Sequence, residues 1–121
     1  MSATVLIADD EPNIVISLEF MMKREGHRVL VARDGAEALE AIRRERPALV
    51  LLDATMPVHS GFEVCEAVRA DPAIRDIRIL MLTAKGRETD MARGLGAGAD
   101  AYVTKPFSTR ELLEKVREML A

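Results

Sequence analysis

The strongest constraint in this chain is a rhythm. Five short apolar runs rich in β-branched residues, at 4–8, 28–32, 48–53, 78–83 and 100–104, recur along the sequence, each followed by a helix-like pattern. Strands alternating with helices in this way build stacked βαβ units. The first, third and fourth runs are continuously hydrophobic, which predicts strands covered on both faces and hence a central parallel sheet. The second and fifth are less apolar and read as edges. Between the runs, Ile14, Leu18, Met21 and Met22 keep helical spacing, as do Ala38, Leu39 and Ile42, and later Leu112, Leu113, Val116 and Leu120. Gly26 closes the first of five helices, Gly35 opens the second, Pro47 stops it, and Ser108 with Glu111 forms a capping box for the last. The expectation is one α/β domain spanning residues 1–121, a three-layer sandwich with no linker, internal repeat or low-complexity stretch.

Composition narrows the function. A chain of 121 residues that is 49% hydrophobic can bury one real core. A formal net charge of −3 predicts no direct nucleic-acid surface, which would show as a basic stripe. The single cysteine, Cys65, excludes a disulfide framework and a cysteine-based metal site, and it fits a reducing, cytoplasmic setting. No apolar run is long enough to span a bilayer, so no membrane role is expected. With one tyrosine, three phenylalanines and no tryptophan there is no stacking platform for bases or sugars, which singles out Tyr102.

In an open parallel sheet, ligands sit beyond the carboxyl ends of the strands. There the first run ends in Asp9, Asp10 and Glu11, the third in Asp53, the fourth in Thr83 and Ala84, and the fifth in Thr104, Lys105 and Pro106. Crowded carboxylates repel one another unless a cation sits among them, and all-oxygen ligation suits a hard ion such as Mg²⁺. A lysine and a hydroxyl in the same cleft offer donors to an anion beside that ion. Metal, lysine and a carboxylate nucleophile together are the equipment of phosphoryl transfer. Taken singly, Asp9 or Asp10 reads as a cap of the following helix, Lys105 as a solvated surface lysine and Thr83 as a strand-end hydroxyl. The combination favours the site.

The acidic pair Asp9 and Asp10, Asp53 followed by Met56, Pro57 and Gly61, Thr83 with Ala84, Tyr102, and the triplet Lys105, Pro106, Phe107 stand in order at the strand ends. In this the sequence resembles the receiver domain of bacterial response regulators over essentially all of its length. The resemblance implies a doubly wound, flavodoxin-like fold of five parallel strands in the order 2-1-3-4-5 with five helices, an order that is general knowledge of chemotaxis receivers. It implies a phosphoacceptor at Asp53, and Mg²⁺ held by Asp10, Asp53 and the backbone carbonyl of Thr55, with Asp9 acting through water. It further implies a phosphoryl group met by Lys105, the Thr83 hydroxyl and the N–H groups of Ala54, Thr55 and Ala84. Thr83 and Tyr102 would form the conformational switch, and the bond between Lys105 and Pro106 would be cis. Glu11 reads as a first-turn helix residue.

The implied function is that of a two-component signalling module and not of an enzyme acting on external substrates. A sensor histidine kinase or phosphotransfer protein would supply the phosphoryl group. A downstream protein would read the face of the fourth helix, fifth strand and fifth helix. On that face Met91, Gly96 and Ala101 replace the charged residues through which related receivers dimerise, leaving Asp100 and Lys115 without a network, so a monomer is expected, with Met91 and Tyr102 as apolar contacts. Val58, His59 and Ser60 depart from the usual loop before the glycine; His59 and His27 read as loop and turn residues. Thr55 and Lys85 stand where fast-cycling receivers carry an amide and an acid, which predicts a long-lived phosphoryl group. The alternative, a phosphatase working through an aspartyl-phosphate, needs a second acid at position 55, where threonine stands. A flavodoxin-like electron carrier needs a glycine- and hydroxyl-rich loop after the first strand, where acids stand.

Overall fold

In a computed structural model, residues 3–84 and 88–121 are described, with the backbone alone at 88–91. The chain alternates strand and helix: β1 (Thr4–Ala8), α1 (Pro12–Arg24), β2 (Arg28–Ala32), α2 (Gly35–Glu45), β3 (Leu49–Asp53), α3 (Gly61–Ala70), β4 (Arg78–Ala84), α4 (Glu88–Ala97), β5 (Ala101–Lys105) and α5 (Thr109–Leu120). All neighbouring strands pair in parallel, in the order β2-β1-β3-β4-β5. The two less apolar runs therefore stand at the edges, and every residue of β3 is buried. This is the doubly wound, flavodoxin-like arrangement.

Side chains alternate across a strand, so each strand feeds both sides of the sheet. Leu6, Val50, Leu52, Ile79 and Met81 pack on one side with Ala38, Ile42, Phe62, Val64 and Val68 of α2 and α3. Val5, Ile7, Leu49, Leu51, Leu80, Leu82 and Val103 pack on the other with Val15, Leu18 and Met22 of α1 and Leu112, Val116 and Met119 of α5. Cys65 lies fully buried in the first cluster, and its burial pushes the thiol up to about 11. It is an inert core residue, not a reactive one.

The helix ends follow their sequence signals. The Asp34 carboxylate accepts from the Glu37 N–H at 2.8 Å, and α2 ends at Arg46 in a left-handed conformation before Pro47. Ser108 accepts from the Glu111 N–H at 3.0 Å. A fully reciprocal box stands instead at α3, where Ser60 and Glu63 satisfy each other's backbone N–H groups. One tertiary feature has no local signal. The Arg69 guanidinium donates to the carbonyls of Gly98, Arg75 and Ile77 and to the Asp100 carboxylate, tying the end of α3 to the turns flanking β4 and α4.

Leu51 is fully buried between the sheet and α1 and α5. Leu51→Ala is expected to lower the unfolding free energy by about 2–5 kcal/mol, the usual range for a buried leucine truncation. Urea unfolding followed by circular dichroism measures it.

Candidate functional site

Strand periodicity sorts the polar residues at the carboxyl edge. Asp53 pairs with Leu82, and Ala84 pairs with Lys105. Counting in steps of two from Ile7, Leu51 and Val103, which face α1 and α5, brings Asp9, Asp53 and Lys105 to the same side of the sheet. Thr83 and Tyr102, counted from Met81 and its partner Tyr102, fall on the opposite side. The acids and the lysine thus share one cleft, and the hydroxyl and the tyrosine share the other side of β4 and β5.

The acids are close. Carboxylate oxygens of Asp9, Asp10 and Asp53 all lie within 4.8 Å of one another. Asp9 is fully buried, Asp53 is 5% exposed, and Asp10 faces solvent. Lys105 Nζ stands 2.9 Å from Asp9 Oδ2, 3.5 Å from Asp53 Oδ1 and 3.6 Å from Glu11 Oε1. The Asp9 contact is a buried ion pair. Asp9 Oδ1 accepts from the Glu11 N–H at 2.9 Å, so Asp9 also shapes the entry to α1. Glu11 is the N-cap residue of α1 and makes no side-chain cap, one position earlier than a first-turn residue.

Burial raises the Asp53 carboxyl from the ordinary aspartate range to about 7, and the charge of Asp9 adds to the rise. Lys105 and the Thr55 N–H, which donates to Asp53 Oδ1 at 3.3 Å, oppose it. For Lys105, burial works against the charge, but the Asp9 contact and the charges of Asp53, Asp9 and Glu11 outweigh it and raise the ammonium above its usual range. Lys105 therefore stays charged at neutral pH.

Three acids meet a single ammonium, so the cluster is short of positive charge as a set of protein groups. Its donors are all oxygen, and the three carboxylates converge closely enough to share one ion. That set fits a hard divalent cation. Thr83 supplies an orphan: among the described residues its buried hydroxyl meets no hydrogen-bond partner. Thr83 sits one residue beyond the β4 partner of Asp53.

The other expected residues are placed as follows. The Ala54 N–H does not stand free for an anion, because it donates to the Leu82 carbonyl at 2.9 Å as an extension of the ladder between β3 and β4. Thr55 and Ala84 are exposed at the cleft rim. Tyr102 is 37% exposed. The peptide bond between Lys105 and Pro106 is cis. His59 pairs at 3.5 Å with Glu63 on the surface, and His27 accepts from the Ala3 N–H at 3.1 Å; neither belongs to the acidic cluster. Lys85 lies outside the described residues, as does the side chain of Met91. Among the described residues, no helix is long and apolar enough to cross a membrane. Sequence reasoning treated Gly61 as a motif element only. In the structure it packs where a Cβ would overlap the Asp53 carbonyl oxygen, and its N–H donates to the Ala54 carbonyl at 2.9 Å.

Because the folded state raises the Asp53 pKa above its unfolded value, ionising this group works against the fold. Its stabilising share is present below about pH 4 and is lost as the pH rises toward 7. In metal-free buffer Asp53→Asn, which stays neutral, is expected to gain stability relative to wild type between pH 4.5 and pH 8. Urea midpoints at the two pH values measure it; an advantage that shrinks toward pH 8 contradicts the assigned direction.

Residues 5–117 match the family described as the response regulator receiver domain. A candidate response regulator from Chloroflexus aurantiacus is 35% identical, with a TM-score of 0.95 over 99% of this chain and 98% of that one. The chemotaxis response regulator CheY4 of Vibrio cholerae is 32% identical, with a TM-score of 0.92 over 99% of this chain and all (100%) of that one. The receiver domain of a Pseudomonas aeruginosa sensor histidine kinase, which has a magnesium ion coordinated in its active-site cleft, is 29% identical, with a TM-score of 0.91 over 99% and 98% of the two chains. A match over nearly the whole sequence, on a sheet of the same order with an acidic cluster at its carboxyl edge, leaves one conclusion: this chain belongs to the response regulator receiver domain family, whose members work as phosphorylation switches and not as independent enzymes.

Proposed function

We propose that Asp53 is the phosphoacceptor, that Mg²⁺ is the cation of the acidic cluster, and that a sensor histidine kinase or phosphotransfer protein in the cytoplasm is the donor. The observation that carries this reading is the placement of a nearly buried carboxylate between two other acids and one lysine. Asp10, Asp53 and the Thr55 carbonyl would hold the ion, with Asp9 acting through water. When bound, such an ion supplies positive charge to the acids and to phosphoryl oxygens. The donor side is supported by the Pseudomonas relative, itself part of a histidine kinase.

The chain's own residues do the rest. An Asp53 oxygen forms the new O–P bond as the donor's N–P bond breaks, and the freed imidazole nitrogen takes a proton. Burial keeps water from competing for that oxygen. Lys105, held charged 3.5 Å away, offers its ammonium to a phosphoryl oxygen. The Thr83 hydroxyl and the Thr55 and Ala84 N–H groups offer further donors, and the Ala54 N–H joins them only by releasing Leu82. Thr83 moving toward a phosphoryl oxygen would gain the partner it lacks, and Tyr102 would turn inward on the same side of the sheet.

The output face is read as α4, β5 and α5. A depression of about 410 Å³ lies there, lined in part by Leu95, Tyr102 and Lys115, and Leu95 is 47% exposed. Asp100 is committed elsewhere. Its Oδ2 accepts at 2.8 Å from both Arg69 and the Ile79 N–H. An exposed ion pair contributes only about 0–1 kcal/mol, so a dimer built on charges needs several, and Asp100 is already engaged within the chain.

Two outcomes are expected. Acetyl phosphate with Mg²⁺ should add one phosphoryl group to the wild-type chain by intact mass and none to Asp53→Asn; equal labelling of the variant would move the acceptor elsewhere. In sedimentation velocity the protein should remain a monomer with and without beryllofluoride and Mg²⁺. A mimic-induced symmetric dimer lost on substituting Lys115 would overturn the output reading.

A further inference from the structure

The loop between β3 and α3 contains the most unusual backbone among the described residues. Val58 has a φ of 72°, and the His59 N–H donates to the Pro57 carbonyl at 2.9 Å across it. A three-residue bond with a central φ near about +75° is the rare and strained form of γ-turn. A β-branched residue is the least suited to it. Val58 is also 67% exposed, so its side chain buries nothing in the fold to offset the strain. Strain of this kind persists only where surrounding contacts over-determine the backbone.

Those contacts come from another part of the chain. The Pro57 carbonyl accepts a second hydrogen bond, at 3.1 Å, from the N–H of Gly35 at the start of α2. The approach is so close that a Cβ on Gly35 would overlap the His59 carbonyl oxygen and crowd the His59 Cβ. Glycine is required there for lack of space. On its far side the loop is fixed by the Gly61 N–H on the Ala54 carbonyl and by the Ser60 box that starts α3. The loop that follows Asp53 is therefore held at Ala54 and again at Pro57, and the second clamp belongs to an element with no group in the acidic cleft.

We propose that the turn between β2 and α2 is part of the phosphoacceptor machinery: Gly35 locks the strained turn at Pro57–His59 and so holds the backbone after Asp53 in shape to take a divalent cation. Gly35 is a positioning residue; it touches no reacting atom. The proposal rests on the reading of Asp53 and its neighbours as the cation site. Supports one shell removed from a metal typically change its affinity by roughly 10–100-fold when altered.

The test is a Mg²⁺ titration of the ¹⁵N-labelled chain, read from the amide shifts of residues 9, 10 and 53–55, for wild type, G35A, V58P and V58G. Proline cannot adopt the φ of this turn, whereas glycine can. G35A and V58P are expected to keep the wild-type circular dichroism and to need roughly tenfold more Mg²⁺ for half-saturation. V58G is expected to titrate like wild type. If G35A does not fold, V58P decides, because it alters only an exposed loop. Folded G35A and V58P titrating like wild type would overturn the proposal, as would V58G weakened as much as V58P. A wild-type response that survives Asp53→Asn unchanged would overturn instead the reading of the site on which the proposal stands.

Discussion

Three carboxylates gathered at one sheet edge repel one another, and the structure is organised around that repulsion. Two unit charges about 4.8 Å apart interact by roughly 3–4 kcal/mol at an effective dielectric near 20. A domain of this size is stable by only about 5–15 kcal/mol, so an unrelieved cluster would consume a large part of the margin. Relief comes first from Lys105, whose ammonium reaches Asp9, Asp53 and Glu11 at once. It comes second from protonation, since burial first and the charge of Asp9 second push Asp53 up to about 7. On the proposed reading, a divalent ion held by Asp10 and Asp53 would supply positive charge that favours the ionised Asp53 carboxylate. Burial and repulsion together would thus couple metal binding to readiness for phosphoryl transfer on that reading.

Bringing those charges together depends on the sheet. Asp9, Asp53 and Lys105 follow or end β1, β3 and β5, which are far apart in sequence, and only parallel pairing puts three strand ends at one edge. The central strands can be fully apolar because helices cover both sides, and that apolar environment makes Asp53 hard to ionise. Core and chemistry are therefore the same arrangement seen at two ends of the same strands.

Much of this is legible in the residues themselves. The continuous apolarity of 48–53 against the weaker 28–32 and 100–104 identifies centre and edges, and the polar residues ending each run locate the cleft. What escapes is what depends on tertiary approach. Asp100 reads as a surface acid, yet Arg69 reaches it from α3 through a guanidinium that also gathers three carbonyls. Ser60 and Glu63 carry the capping-box spacing as plainly as Ser108 and Glu111, but only the first pair closes in both directions. Ala54 reads as a free donor, and the ladder takes its N–H. No local pattern marks Gly35 as anything but a helix start, because its role is set by a loop more than twenty residues away.

Two buried groups, the Asp9 carboxylate and the Thr83 hydroxyl, make the same physical point from opposite sides of the sheet. An unsatisfied buried polar group costs about 1–3 kcal/mol, so the Thr83 hydroxyl, with no partner among the described residues, is a place where a partner from outside the chain lowers the free energy, and Asp9 is a buried charge that one lysine offsets. An acceptor-rich oxygen invites a cation, and a hydroxyl with no acceptor invites an anion. Both lie at the carboxyl edge, Asp9 beyond β1 and Thr83 one residue beyond the partner of Asp53. Thr83 also pairs with Thr104, two residues from Tyr102 on the same side of β5. On the proposed reading, a shift at Thr83 would be felt first along β4 and β5, the strands nearest the exposed Tyr102 and Leu95. The fold would, on that reading, be polar: cation and phosphoryl chemistry on the side of α1 and α5, and conformational response on the side that carries Thr83 and Tyr102.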